Sequence, residues 1–162
     1  EQNELTQHMV RRAQQSGQDP QEFVNHMLEH NHVPELVAVM PPEPLAGFMV
    51  ARGYVGRGVP LLKRVVGLPG QRVCRTGRTV TVDGVAMGDA LDRDRIGREL
   101  PVWRGCRVVA RDELFLMNSG VRDSLDGRYF GPIPASAVVG RALPLWTGED
   151  GDGRFVWLAP TR

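Results

Sequence analysis

One lysine, Lys63, stands against nineteen arginines in this sequence. Arginine stays charged at any workable pH, whereas a lysine stripped of water can lose its proton and act as a base. Lys63 lies in Val59-Pro60-Leu61-Leu62-Lys63-Arg64-Val65-Val66-Gly67-Leu68-Pro69-Gly70, whose apolar and β-branched flanks suit a half-buried strand. Burial there would depress its pKa. The alternative is a surface lysine in an arginine-rich chain. A second stretch, Asn118-Ser119-Gly120-Val121-Arg122-Asp123-Ser124-Leu125-Asp126-Gly127-Arg128-Tyr129-Phe130-Gly131-Pro132, crowds serine, aspartate and arginine together. Such side chains can hydrogen-bond a loop between strands, and an Asp–Arg pair pinning a turn is the plainest account. His26 and His30 share one helical face, with Glu22 and Glu29 nearby. Two ligands are too few for a metal centre, so a solvated helix face is expected, with no metal and no cofactor.

The elements that must carry these groups fall into two segments. Residues 1–35 read as a helical hairpin. Leu5, Met9, Val10 and Ala13 follow the helical period, and Gly17 can end the helix. Asp19-Pro20-Gln21-Glu22 supplies a second helix start, and Phe23, Val24, Met27 and Leu28 form its apolar stripe. Helices this short must dock on something to persist. Residues 36–162 read as strands and turns: Leu36–Met40, Leu61–Val66, Thr79–Val82 and Val85–Met87 around Asp83-Gly84, Cys106–Val109 paired with Glu113–Met117, Ala137–Leu143, and Phe155–Leu158. Gly53–Gly58 reads as a loop, and residues 88–104 as a polar inserted loop. The expected fold is mainly β with an N-terminal α-helical hairpin, the β part antiparallel and partly closed.

Charge divides along the same line. Residues 1–35 carry Arg11 and Arg12 against six carboxylates, and the remainder carries 18 basic against 13 acidic residues. The net charge is +1, which implies no strong field for nucleic acid or membrane. No run of 18 apolar residues and no secretory signal is visible. A start at Glu1 rather than Met suggests a fragment, from which an anchor could have been cut away.

Glu4-Leu5-Thr6, the turn from Ser16 to Phe23, and Asn31-His32-Val33-Pro34 resemble the C-terminal helical arms of trigger factor, a ribosome-associated chaperone. In that family the arms form part of a cradle for unfolded chains, which an isolated hairpin could not supply.

Pro60-Leu61-Leu62-Lys63-Arg64-Val65, Pro69-Gly70-Gln71, the run from Ser124 to Pro132, and Val138-Val139-Gly140-Arg141-Ala142 resemble the signal peptidase I superfamily, closest to its conjugative-transfer (TraF-like) branch. Leu36–Met40 with Pro41-Pro42-Glu43-Pro44 also fits that branch. The resemblance implies a Ser/Lys dyad peptidase on a β scaffold. It implies Lys63 as general base, Ser124 as the hydroxyl that orients it, and Asp126 with Arg128 as the ion pair holding the loop. Gly127 replaces the usual serine, which implies loss of one supporting contact. The implied partner is a peptide or preprotein substrate such as conjugative pilin, with membrane association in a longer chain and no nucleic acid. The implied location is periplasmic or extracytoplasmic, or cytoplasmic if the chaperone-like segment governs. In such a compartment Cys74 and Cys106 could form one disulfide; two buried free thiols are the alternative.

The family's nucleophilic serine precedes the lysine in a short box followed by proline. The one serine before Lys63 is Ser16, 47 residues upstream, and its proline lies four residues on. Ser16 is therefore the candidate nucleophile by position, yet its context fits a turn between helices. A chimera is the simplest account, the hairpin standing where anchor and nucleophile box are expected, with its seam near Val33–Val39. Little or no peptidase activity is then expected, and a non-catalytic peptide-binding or chaperone-like module is the alternative. A self-cleaving regulator lacks a suitable Ala-Gly or Cys-Gly pair upstream.

Overall fold

Runs of apolar residues make two of the central strands, Leu36–Val39 and Glu113–Met117, while burial alternates along the strand that carries Lys63. The computed structural model describes residues 35–142 and the backbone of two short strands at 146–147 and 156–157. The expected hairpin, apart from Glu35, lies outside the described residues, and with it Ser16, His26 and His30. Strand β1 is Leu36–Val39, β2 Leu61–Gly67, β7 Glu113–Met117, β8 Ile133–Pro134 and β9 Val138–Arg141. They form one antiparallel sheet in the order β8-β7-β2-β1-β9. Strands β3 (Arg72–Thr76), β4 (Thr79–Val82), β5 (Val85–Asp89) and β6 (Gly105–Val108) form a second, in the order β5-β4-β3-β6. Helix α1 (Leu45–Ala51) and the single turn α2 (Gly127–Phe130) are short. The last strands, β10 (Trp146–Thr147) and β11 (Val156–Trp157), pair with each other.

Strand β7 explains how two sheets share one body. Leu114 and Leu116 pack with Val37, Val39, Val65 and Val138 on one side. Phe115 and Met117 pack with Val73, Val80, Val82 and Val109 on the other. A strand buried on both faces reads as a continuous apolar run, as Leu-Phe-Leu-Met does. Tight turns set the rest. Asp83 and Gly84 both take positive φ (47° and 80°), the geometry a two-residue hairpin turn requires.

The sheets are antiparallel as expected, and among the described residues neither closes into a barrel: the larger runs from β8 to β9 without returning. Three other readings change. Strands β6 and β7 do not pair with each other. Val109 continues the β6 contact with β3 through hydrogen bonds to Gly70 and Gln71, and the turn at Ala110 then carries the chain to the other sheet. The insert before β6 is more than a polar loop, because Ala90 and Leu100 are buried with Tyr129 in a third cluster. Helix α1 lies hidden in the sequence behind the prolines at 41, 42 and 44. Cys74 and Cys106, register partners on β3 and β6, are joined in a disulfide, which sets aside the free-thiol alternative.

Candidate active site

Strand β2 is central in its sheet and places Lys63 opposite Val37 of β1. Strand alternation puts Lys63 on the same face as Val65, a core residue. The residue is left 9% exposed. The Nζ group donates to Ser124 Oγ at 2.7 Å, across 61 residues of sequence. Burial holds the Lys63 pKa below its ordinary value; Asp126 pulls it upward and Arg128 adds to the lowering.

The loop that carries Ser124 is held by a buried ion pair. Asp126 caps α2, its Oδ1 accepting from Arg128 N at 3.1 Å and from Arg128 Nε at 2.9 Å. Its Oδ2 accepts from Arg128 Nη2 at 2.9 Å and from the Asn118 amide at 3.0 Å. This two-pronged geometry is what a guanidinium and a carboxylate favour. Arg128 Nη2 also donates to the carbonyls of Val121 (2.8 Å) and Ser124 (3.1 Å). Both charged side chains are at most 1% exposed. Such a pair gains little over apolar packing, but losing one partner costs about 3–5 kcal/mol. Its hydrogen bonds tie the loop's own backbone groups together, the Asn118 amide to Asp126 and the Val121 and Ser124 carbonyls to Arg128.

Lys63, Ser124, Asp126 and Arg128 are thus brought together from two distant segments. Ser16 falls outside the described residues. Gly127 has a different meaning from the one expected. A Cβ there would lie 2.6 Å from the Phe115 ring and 2.7 Å from the Leu116 carbonyl oxygen. The glycine gives the turn room to lie against β7, so it answers a packing demand here rather than simply losing a contact. Asn118, given no role from sequence, ties the two segments: its amide bonds Asp126, and its Nδ2 donates to the Leu62 carbonyl at 3.1 Å. Its place directly after the apolar run of β7 was the available signal. Among the described residues, no group of three or more His, Cys, Asp or Glu is arranged to hold a metal.

Residues 7–146 match the sequence profile of the family described as signal peptidase, peptidase S26. The chain belongs to the signal peptidase S26 family. Within that family it is similar to the conjugal transfer protein TraF of Agrobacterium fabrum, 42% identical over 123 residues, which cover 70% of this chain and 68% of that one. It is also similar to trigger factor from a Nocardioides species, 65% identical over 52 residues, or 32% of this chain and 10% of that one. The chain therefore spans about two thirds of that S26 relative and a tenth of the chaperone. A signal peptidase I from Enterococcus faecalis, solved by crystallography, matches at a TM-score of 0.39 and 20% identity, over 68% of this chain and 94% of that one.

Proposed function

We propose that residues 36–162 form the body of a signal-peptidase-type serine endopeptidase in which Lys63 is the general base. Ser124 orients the base, and Asp126 with Arg128 holds the orienting loop. One observation carries this reading: a buried amine of lowered pKa bonded to a buried hydroxyl. A serine hydroxyl attacks poorly until a base takes its proton, and an amine already biased toward the neutral form can take it. In that step the nucleophile's proton passes to Lys63 Nζ and its oxygen bonds the scissile carbonyl carbon. The carbon–nitrogen bond then breaks, and the proton returns to the leaving amine. Water repeats the sequence on the resulting ester. Ser16 is a candidate nucleophile by position alone: the family's serine box followed by proline is missing before Lys63, so little or no cleavage is the expectation for this chain. The substrate class is a preprotein with a signal or pro-segment, conjugative pilin among them, by similarity to the TraF relatives. Work on such substrates places the body at the extracytoplasmic face of a membrane.

A second reading has its own support. The identity to trigger factor over 52 residues supports a chaperone-like hairpin over residues 1–35; on that reading the body binds peptides without cutting them. That reading places the protein in the cytoplasm.

The test is cleavage of a propilin-like peptide, read by mass spectrometry, with wild type, Lys63→Ala and Ser16→Ala. Cleavage abolished by both substitutions supports the Ser16/Lys63 dyad. Cleavage abolished by Lys63→Ala alone keeps the base and moves the nucleophile away from Ser16. A folded wild type that binds the peptide without cutting it, and whose binding survives Lys63→Ala, supports the second reading.

A further inference from the structure

The second sheet reaches across to the turn that follows Ser124. Arg75 of β3 is 2% exposed, among the most buried large side chains described. Its alternation with Val73 points it into the body. Its Nη1 donates to the Arg128 carbonyl at 2.7 Å and to the Pro101 carbonyl at 3.4 Å, and its Nε to the Gly77 carbonyl at 3.2 Å. The guanidinium also lies 6.0 Å from the Tyr129 ring centre. Trp103, just before β6, donates from Nε1 to the Gly127 carbonyl at 3.0 Å, with its ring edge-on to Phe115. Two consecutive carbonyls of α2 are therefore held by two donors, one on the second sheet and one in the segment that enters it.

The donors come from one locked place. Arg75 pairs in register with Gly105, two residues after Trp103. The neighbouring register pair, Cys74 and Cys106, is covalently bonded. The turn they hold passes its position onward: Arg128 bonds the Ser124 carbonyl, and Ser124 Oγ accepts from Lys63. Neither donor touches Lys63 by any of these bonds.

We propose that Arg75 and Trp103 are positioning residues, a clamp from the second sheet that fixes α2 and so keeps Ser124 against the Lys63 amine. The proposal deepens the peptidase reading, since it supplies the rigidity a general base needs. Its physical content is nevertheless independent of catalysis. With the clamp released, the turn moves off, water reaches Nζ, and the amine titrates closer to an ordinary lysine. The charged groups acting on Lys63 are Asp126, which raises its pKa, and Arg128, which lowers it; neither residue is changed in the variants below, and the two move together with the turn as an ion pair, so the loss of desolvation sets the direction.

The sole lysine makes the test direct. Protein grown on isotope-labelled lysine gives one side-chain signal, whose pH titration is that of Lys63. Trp103→Phe keeps an aromatic ring, though a smaller one, and removes the donor; Arg75→Met keeps most of the bulk and removes the fork. Each is expected to raise the Lys63 midpoint by about one pH unit toward the ordinary lysine value. Arg107→Met, which removes a β6 arginine paired with Glu113, is expected to leave it unchanged. Folded variants that titrate as wild type overturn the clamp, and Trp103→Phe alone decides if Arg75→Met does not fold. A wild-type signal that already titrates like free lysine overturns the base reading as well, so the two failures are distinct.

Discussion

At the scale of single residues, Lys63 carries a cost that folding must meet. Its amine is desolvated, so the folded chain favours the neutral form more than the unfolded chain does. Between the lowered value and the ordinary 10.5, the unfolded chain binds more protons than the folded one. Stability therefore rises with pH through that window. Below it the penalty is complete, and above it the penalty is gone. Lys63→Met removes the titration while keeping the packing. Urea unfolding at a series of pH values should find wild type gaining on Lys63→Met as pH climbs toward 10.5. A gap that stays constant with pH would mean that the amine titrates as if exposed.

At the scale of elements, the α2 turn works as a packed unit. Phe115 sits between two glycines: a Cβ on Gly67 would lie 2.7 Å from Phe115 Cβ, and a Cβ on Gly127 would meet its ring. Restoring the serine common in the family, by Gly127→Ser, is expected to destabilise this chain by about 1–3 kcal/mol. Phe115→Leu in the same protein should recover only part, because the Leu116 carbonyl oxygen is the other obstacle and backbone cannot give way. Thermal unfolding of wild type and these two variants measures both effects. Full recovery in the double variant would assign the whole strain to the ring.

At the scale of the molecule, residues 90–104 join parts that the sheets leave apart. Arg52, at the end of α1, donates to the Glu99 carbonyl at 2.7 Å, and Arg98 donates back to the Arg52 carbonyl at 3.0 Å. Tyr54 bonds Asp94 at 2.6 Å, and Asp94 also accepts from the Ile96 and Arg98 amides. Desolvation opposes ionisation of Asp94, but the hydrogen bonds from Tyr54 and Arg98 outweigh it and hold the carboxyl well below its usual range. Farther along, Arg95 pairs with Asp123 beside Ser124. Asp94→Ala is expected to loosen this bridge, so that trypsin cuts after Arg93, Arg95 and Arg98 severalfold faster than in wild type. Unchanged digestion would mean that the arginine contacts suffice alone.

Much of this architecture could be read directly. The lysine strand, the Asp-Gly hairpin and the apolar run of β7 are local patterns, and local backbone preference with alternating burial decides them. The grouping of Ser124, Asp126 and Arg128 is also local, since a capped single turn needs its partners within a few residues. The choice of strand partners was not legible, because β6 and β7 are equally good neighbours in sequence and only sheet packing assigns them elsewhere. The clamp was hidden for a similar reason: Arg75 and Trp103 find α2 across 53 and 24 residues. By itself the sequence determined the strands, the turns and the types of group available for chemistry. Tertiary structure alone decided that a lysine and a serine 61 residues apart share one hydrogen bond, because only packing two sheets about β7 removes the water that would otherwise solvate each.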